Sequence, residues 1–104
     1  MDYNDRVITV ASTTATGTFD SRRVIPVMCP PTIEVDLKNN TAVSVDLYYK
    51  LTPGGPWTKF ATVTASGLTQ APFGRYYRAI VTAITPDGTT PTPMTVKLGI
   101  LERW

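Results

Sequence analysis

Val43-Ser44-Val45-Asp46-Leu47-Tyr48-Tyr49-Lys50 decides the fold, because Val43, Val45, Leu47 and Tyr49 alternate with Ser44, Asp46, Tyr48 and Lys50. A period of two puts the apolar side chains on one side of an extended chain, so this stretch reads as a strand with one dry face. Upstream, Ile33, Val35 and Leu37 alternate with Glu34, Asp36 and Lys38. Downstream, Tyr77, Ala79, Val81 and Ala83 alternate with Tyr76, Arg78, Ile80 and Thr82, and Met94, Val96, Leu98 and Ile100 form a further set. No window of similar length has a helical period. The 18 threonines, with frequent Val, Ile and Tyr, suit a pleated, half-buried surface.

Turn residues stand where strands should stop: Pro30-Pro31, Asn39-Asn40, Pro53-Gly54-Gly55-Pro56, Ser66-Gly67, Pro72-Phe73-Gly74 and Pro86-Asp87-Gly88. The strands expected between them cover roughly 6–11, 22–28, 32–38, 42–50, 57–65, 75–85 and 93–101, which is the pattern of an all-β antiparallel sandwich or barrel. The chain of 104 residues is read as a single domain, 1–104. Residues 1–5 and 11–20 hold too few apolar groups to order themselves and are expected as arm or loop segments. The Asn39-Asn40 junction admits two geometries. A hairpin setting Val35 against Val45 needs a three-residue loop, Asn39 to Thr41; the alternative is an arch that carries the chain from one sheet to the other.

Composition narrows the chemistry. With no His and one Cys, the chain lacks the residues for a Ser-His-Asp or Cys-His nucleophile, most metal sites and an internal disulfide. A net charge of +2 with Arg22-Arg23 as the one adjacent basic pair is too sparse a pattern for nucleic acid. No apolar run approaches membrane-spanning length. The opening Met1-Asp2-Tyr3-Asn4-Asp5-Arg6 is polar and acidic where an export signal would be basic and then apolar. Cys29, between Met28 and Pro30, is expected as a small buried hydrophobe. Asn39-Asn40-Thr41 fits a glycosylation triplet and is read as a turn. Glu34 and Asp36 share a strand face about 7 Å apart, within glycosidase range, but a wet face offers nothing to raise either pKa. An enzyme is not expected, nor any cofactor.

From Val43 onward, over about two thirds of the chain, the sequence resembles a fibronectin type III module of the immunoglobulin-like sandwich class. Val45-Asp46-Leu47-Tyr48-Tyr49-Lys50 leads into Pro53-Gly54-Gly55-Pro56-Trp57, and Leu68, Gly74, Tyr77, Ala79, Val81, Ala83 and Gly88 follow in the family's places. The resemblance implies a tyrosine corner, with Tyr77 packed inward and its hydroxyl returned to a backbone carbonyl near the preceding loop, Tyr76 being the competing candidate. Two departures stand out. The family's core Trp is absent from Thr32 to Leu37, and the strand expected between Ala65 and Leu68 has almost no residues to be built from.

A module of this kind works by contact. Tyr3, Phe19, Arg22, Arg23, Trp57 and Trp104 are the candidate partner-binding residues, since Tyr, Trp and Arg are the usual interface anchors. The plainer reading lets Trp57 cap one end of the core while Tyr48 and Tyr76 cover cross-strand neighbours. By family analogy, the expected role is a virion structural protein made in the host cytoplasm, a capsid decoration or cement subunit bound to capsid or other virion proteins, with a homo-oligomer as a further expectation. The alternatives are a carbohydrate-binding or adhesion module, with Trp57, Tyr48 and Tyr76 stacking on sugar rings, and a phage tail or baseplate subunit.

Overall fold

The period-two alternation becomes strands in the computed structural model, which describes residues 3–103. They are β1 (Tyr3–Thr13), β2 (Gly17–Asp20), β3 (Thr32–Asp36), β4 (Thr41–Lys50), β5 (Thr58–Val63), β6 (Gly67–Gln70), β7 (Tyr76–Thr85) and β8 (Met94–Arg103). Two antiparallel four-stranded sheets, ordered β1-β8-β3-β6 and β2-β7-β4-β5, pack into an all-β sandwich compatible with an immunoglobulin-like module. Among the described residues there is no helix.

The dry faces meet where the alternation places them. Ile33, Val35, Met94, Val96, Leu98 and Ile100 from the first sheet bury against Val43, Val45, Leu47, Tyr77, Ala79 and Val81 from the second. On β7 the alternation slips, because an extra residue enters where Val45 pairs with Val81 but Ser44 pairs with Ala83. A bulge of one residue turns every later side chain over. Ala83 is therefore exposed, and Ile84 packs against the core in its place.

The Asn39-Asn40 junction is an arch, since β3 and β4 lie in different sheets. Lys38 turns the chain with φ 55, and the Asn40 side-chain amide donates to the carbonyls of Leu37 and Thr92, 2.8 Å each. The other triplet Asn is also engaged, its amide donating to Thr90 O at 2.6 Å.

Two expectations are corrected. Segments expected as arms are strands: 3–5 and 11–13 belong to β1, and 17–20 form β2. Their order comes from partners, not from their own apolar content. β1 pairs with β8 along its length, and β2 lies beside β7 with Phe19 against the core. Residues 22–28 are not a strand of either sheet. Ser21 N and Val24 N still donate to Tyr77 O and Arg75 O beside β7, whereas Val27 N donates to Leu101 O beside β8. The segment crosses between sheets, and Pro26, Pro30 and Pro31 have no N–H to offer a ladder. The short region after Ala65 does form a strand, β6, paired with β3.

The immunoglobulin order places the last strand beside the penultimate one. Here β8 lies instead between β1 and β3, and β2 occupies the place beside β7. The first and last strands of the described residues, β1 and β8, thus lie side by side in one sheet of a body of 49 × 28 × 18 Å.

Candidate interaction surfaces

The strand directions gather the loops 21–31, 51–57 and 71–75 at one end of the sandwich, where β2, β4 and β6 finish and β3, β5 and β7 begin. Hydrogen bonds tie these loops together: Val24 N donates to Arg75 O, Arg75 N to Lys50 O and Ala71 N to Pro31 O. Four exposed large apolar side chains project here, Ile25, Met28, Leu51 and Phe73. Phe73 lines an open depression with Pro30, Phe60 and Pro72.

Met28 is the most exposed of them, at 76%. Cys29 N donates to Val27 O at 2.8 Å across Met28, whose φ is 70. This is a γ-turn of the positive-φ kind, a strained conformation for a residue with a Cβ. The turn loops Met28 and Cys29 out of line with β3. Cys29 is consequently exposed, which corrects the expectation that it is buried.

Charge fixes the loop from beneath. Glu102 on β8 accepts from Arg22 Nη2 at 2.8 Å and Nη1 at 3.3 Å, and from Ile25 N at 3.1 Å. The Arg22 guanidinium and the Ile25 amide hold the Glu102 carboxyl below the usual carboxylate range against the opposing effect of burial.

The second surface is the outer face of the β2-β7-β4-β5 sheet. The register sets Tyr48 beside Arg78 and Lys50 beside Tyr76, and Trp57 enters from the turn before β5. The indole is half-buried, with Lys50 Nζ 4.5 Å and the Arg78 guanidinium carbon 4.3 Å from its ring centroid. Arg78 is held by Asp20 through contacts of 2.6 and 3.0 Å. That guanidinium keeps the Asp20 pKa lowered. Trp57 thus lies on the sheet's outer face, not as a cap on the core.

The sequence-derived contact residues do not converge. Phe19 packs against the core, Arg22 is committed to Glu102, and Arg23 is exposed beside it. Trp104 and the side chain of Tyr3 lie outside the described residues. By contrast, Trp57, Tyr48 and Tyr76 do share one face. The apolar loop end was missed, although the run Val24 to Met28 with its prolines held the signal: an apolar segment that cannot ladder has to put some side chains outside. The carboxylates Asp20, Asp36, Asp46 and Glu102 are all ion-paired. Asp36 is lowered first by the Lys38 backbone amide, so its movement is opposite to that of a general acid. Comparison with family models, curated proteins and solved structures gave no match.

Proposed function

We propose that this chain is a non-enzymatic structural protein of a virus particle, a decoration subunit that docks on the capsid and reinforces contacts between neighbouring capsomers. The observation that carries the reading is the gathering of Ile25, Met28, Leu51 and Phe73 at one end of the sandwich. Large apolar side chains exposed at the same end of a folded domain offer area for contact with another protein. The strained turn under Met28 supports it, since strain is kept where function needs a side chain presented. The sequence resemblance to a fibronectin type III module supports it too, and the hydroxyl of Tyr77, bonded to Pro72 O, has the form of that class's tyrosine corner. Such modules supply contact area, and the assignment to a virus particle is by analogy with their use there. The test is co-sedimentation of purified protein with expanded capsids, together with the heat resistance of particles lacking it. Binding lost in Met28→Asp, and particles that break at lower temperature without the protein, are the expected results. No co-sedimentation and unchanged heat resistance would overturn the reading.

A carbohydrate-binding role is the second reading, favoured by one observation. Trp57, Tyr48 and Tyr76 stand on one face of the sheet, and aromatic rings gathered on one face are what a sugar ring stacks on. Saturable glycan binding that Trp57→Ala abolishes would favour this role, and a blank glycan array would remove it.

A further inference from the structure

We infer that β1 pairs antiparallel, along its free edge, with β1 of a second copy of this chain about a two-fold axis at Val7. The two β1-β8-β3-β6 sheets then become one continuous sheet. The four sheet edges of the protomer are not alike. β2 and β6 have four residues each, and β5 has six, interrupted by a bulge and carrying Lys59. These are the usual ways of blunting an edge against pairing. β1 has eleven residues, its neighbour β8 lies on one side alone, and from Val7 to Thr13 it carries neither charge nor proline. Such an edge is a template for another strand.

The register of β1 indicates which strand. Tyr3 to Thr9 pairs with β8 without interruption, and the bulge at Val10 ends that run. Centring a two-fold axis on Arg6 would set like charges in direct opposition, which disfavours it. Centring it on Val7 sets Val7 against its counterpart and Asp5 against Thr9 of the second copy. Directly opposed residues share a face, so Val7, Thr9 and Asp5 lie on the outer face with their partners Gly99, Lys97 and Leu101.

Two features of that face are then accounted for. Val7 is 72% exposed because Gly99 beside it has no side chain and the other side is the free edge. In the pair, the second Val7 covers it. Asp5 belongs to no ion pair among the described residues, and Lys97 stands directly opposite Glu34 of β3 and also acts on Asp36. The pairing brings Lys97 of one copy, across the short Thr9, within two strand spacings (about 9.6 Å) of Asp5 of the other. The two-fold axis repeats that complementarity.

This pairing is separate from the capsid-docking reading, because it uses the β1 edge, which borders the loop end at Cys29 and Pro30, and not the exposed side chains of Ile25, Met28, Leu51 and Phe73. Sedimentation equilibrium over a concentration series tests it on the full chain, with Cys29→Ser throughout to remove disulfide dimers. A monomer–dimer equilibrium is expected. Val7→Lys, at an exposed position that leaves the circular dichroism unchanged, weakens it by about tenfold or more by opposing two ammonium groups. Asp5→Lys weakens it as well, because it sets an ammonium group towards Lys97 of the other copy across Thr9. A wild-type chain that is monomeric at every concentration, or a dimer that Val7→Lys and Asp5→Lys leave intact, overturns the proposal. Capsid binding is scored separately, so neither result decides the other.

Discussion

The hydroxyl of Tyr77 donates to the carbonyl of Pro72, five residues upstream, while the ring is 1% exposed. That bond fixes the 71–75 loop to the start of β7, and Gly74 makes room for it. A Cβ at Gly74 would stand 3.1 Å from Tyr49, 3.3 Å from the Lys50 carbonyl and 3.4 Å from the Tyr77 hydroxyl. Tyr77→Phe keeps the ring and leaves the Pro72 carbonyl without this partner. A loss of about 1 to 2 kcal/mol is expected in chemical denaturation, with the denaturant slope unchanged.

The same residue sets an alkaline limit. Burial pushes the Tyr77 pKa up to about 12. The unfolded chain releases that proton near pH 10, so between pH 10 and 12 the folded state binds more protons than the unfolded one. Stability contributed here is complete below pH 10 and falls as pH rises to about 12, by roughly 2 to 3 kcal/mol. Urea titrations across that range should show this loss in the wild type and a smaller one in Tyr77→Phe.

Glu102 works in the opposite direction. Its carboxyl is held low by Arg22 and the Ile25 amide, so its contribution is full above the ordinary carboxylate range and disappears as pH falls through the lowered folded value. Glu102→Gln should cost about 1 to 2 kcal/mol at neutral pH, since the charge-assisted bonds are lost. It should also raise amide hydrogen exchange in residues 22–28 more than in β4 or β7, because it releases the loop from β8.

Where alternation was unbroken, the sequence was sufficient. The apolar sets of β3, β4 and β8, and that of β7 as far as Val81, supply most of the core, and Tyr77, not Tyr76, is the buried ring. Legibility failed where order is borrowed from a partner. Residues 11–13 and 17–20 look like a loop by composition, and only the strands β8 and β7 beside them make them strands. It failed again at 22–28, where apolar content suggested a strand and the prolines decided against it. The face holding Trp57, Tyr48 and Tyr76 was readable from strand parity. The loop end was not, because it gathers residues from three segments that only the topology brings together.

Met28 couples stability to function. At φ 70 a glycine fits and a methionine is strained, so Met28→Gly should stabilise the isolated protein or leave it unchanged, by up to about 1 kcal/mol in thermal or chemical unfolding. Docking should weaken in the same variant, because the exposed side chain is the part that would reach a partner. A protein that gains stability while losing binding shows the strain to be kept for contact.

The most direct test of the central claim is a cryo-electron microscopy map of the particle containing this chain. The account predicts the sandwich on the outside of the capsid with the 21–31 and 71–75 loops, and so Ile25, Met28 and Phe73, seated against capsid subunits. A particle without this protein, or one in which that loop end points into solvent while another surface makes the contact, would contradict it.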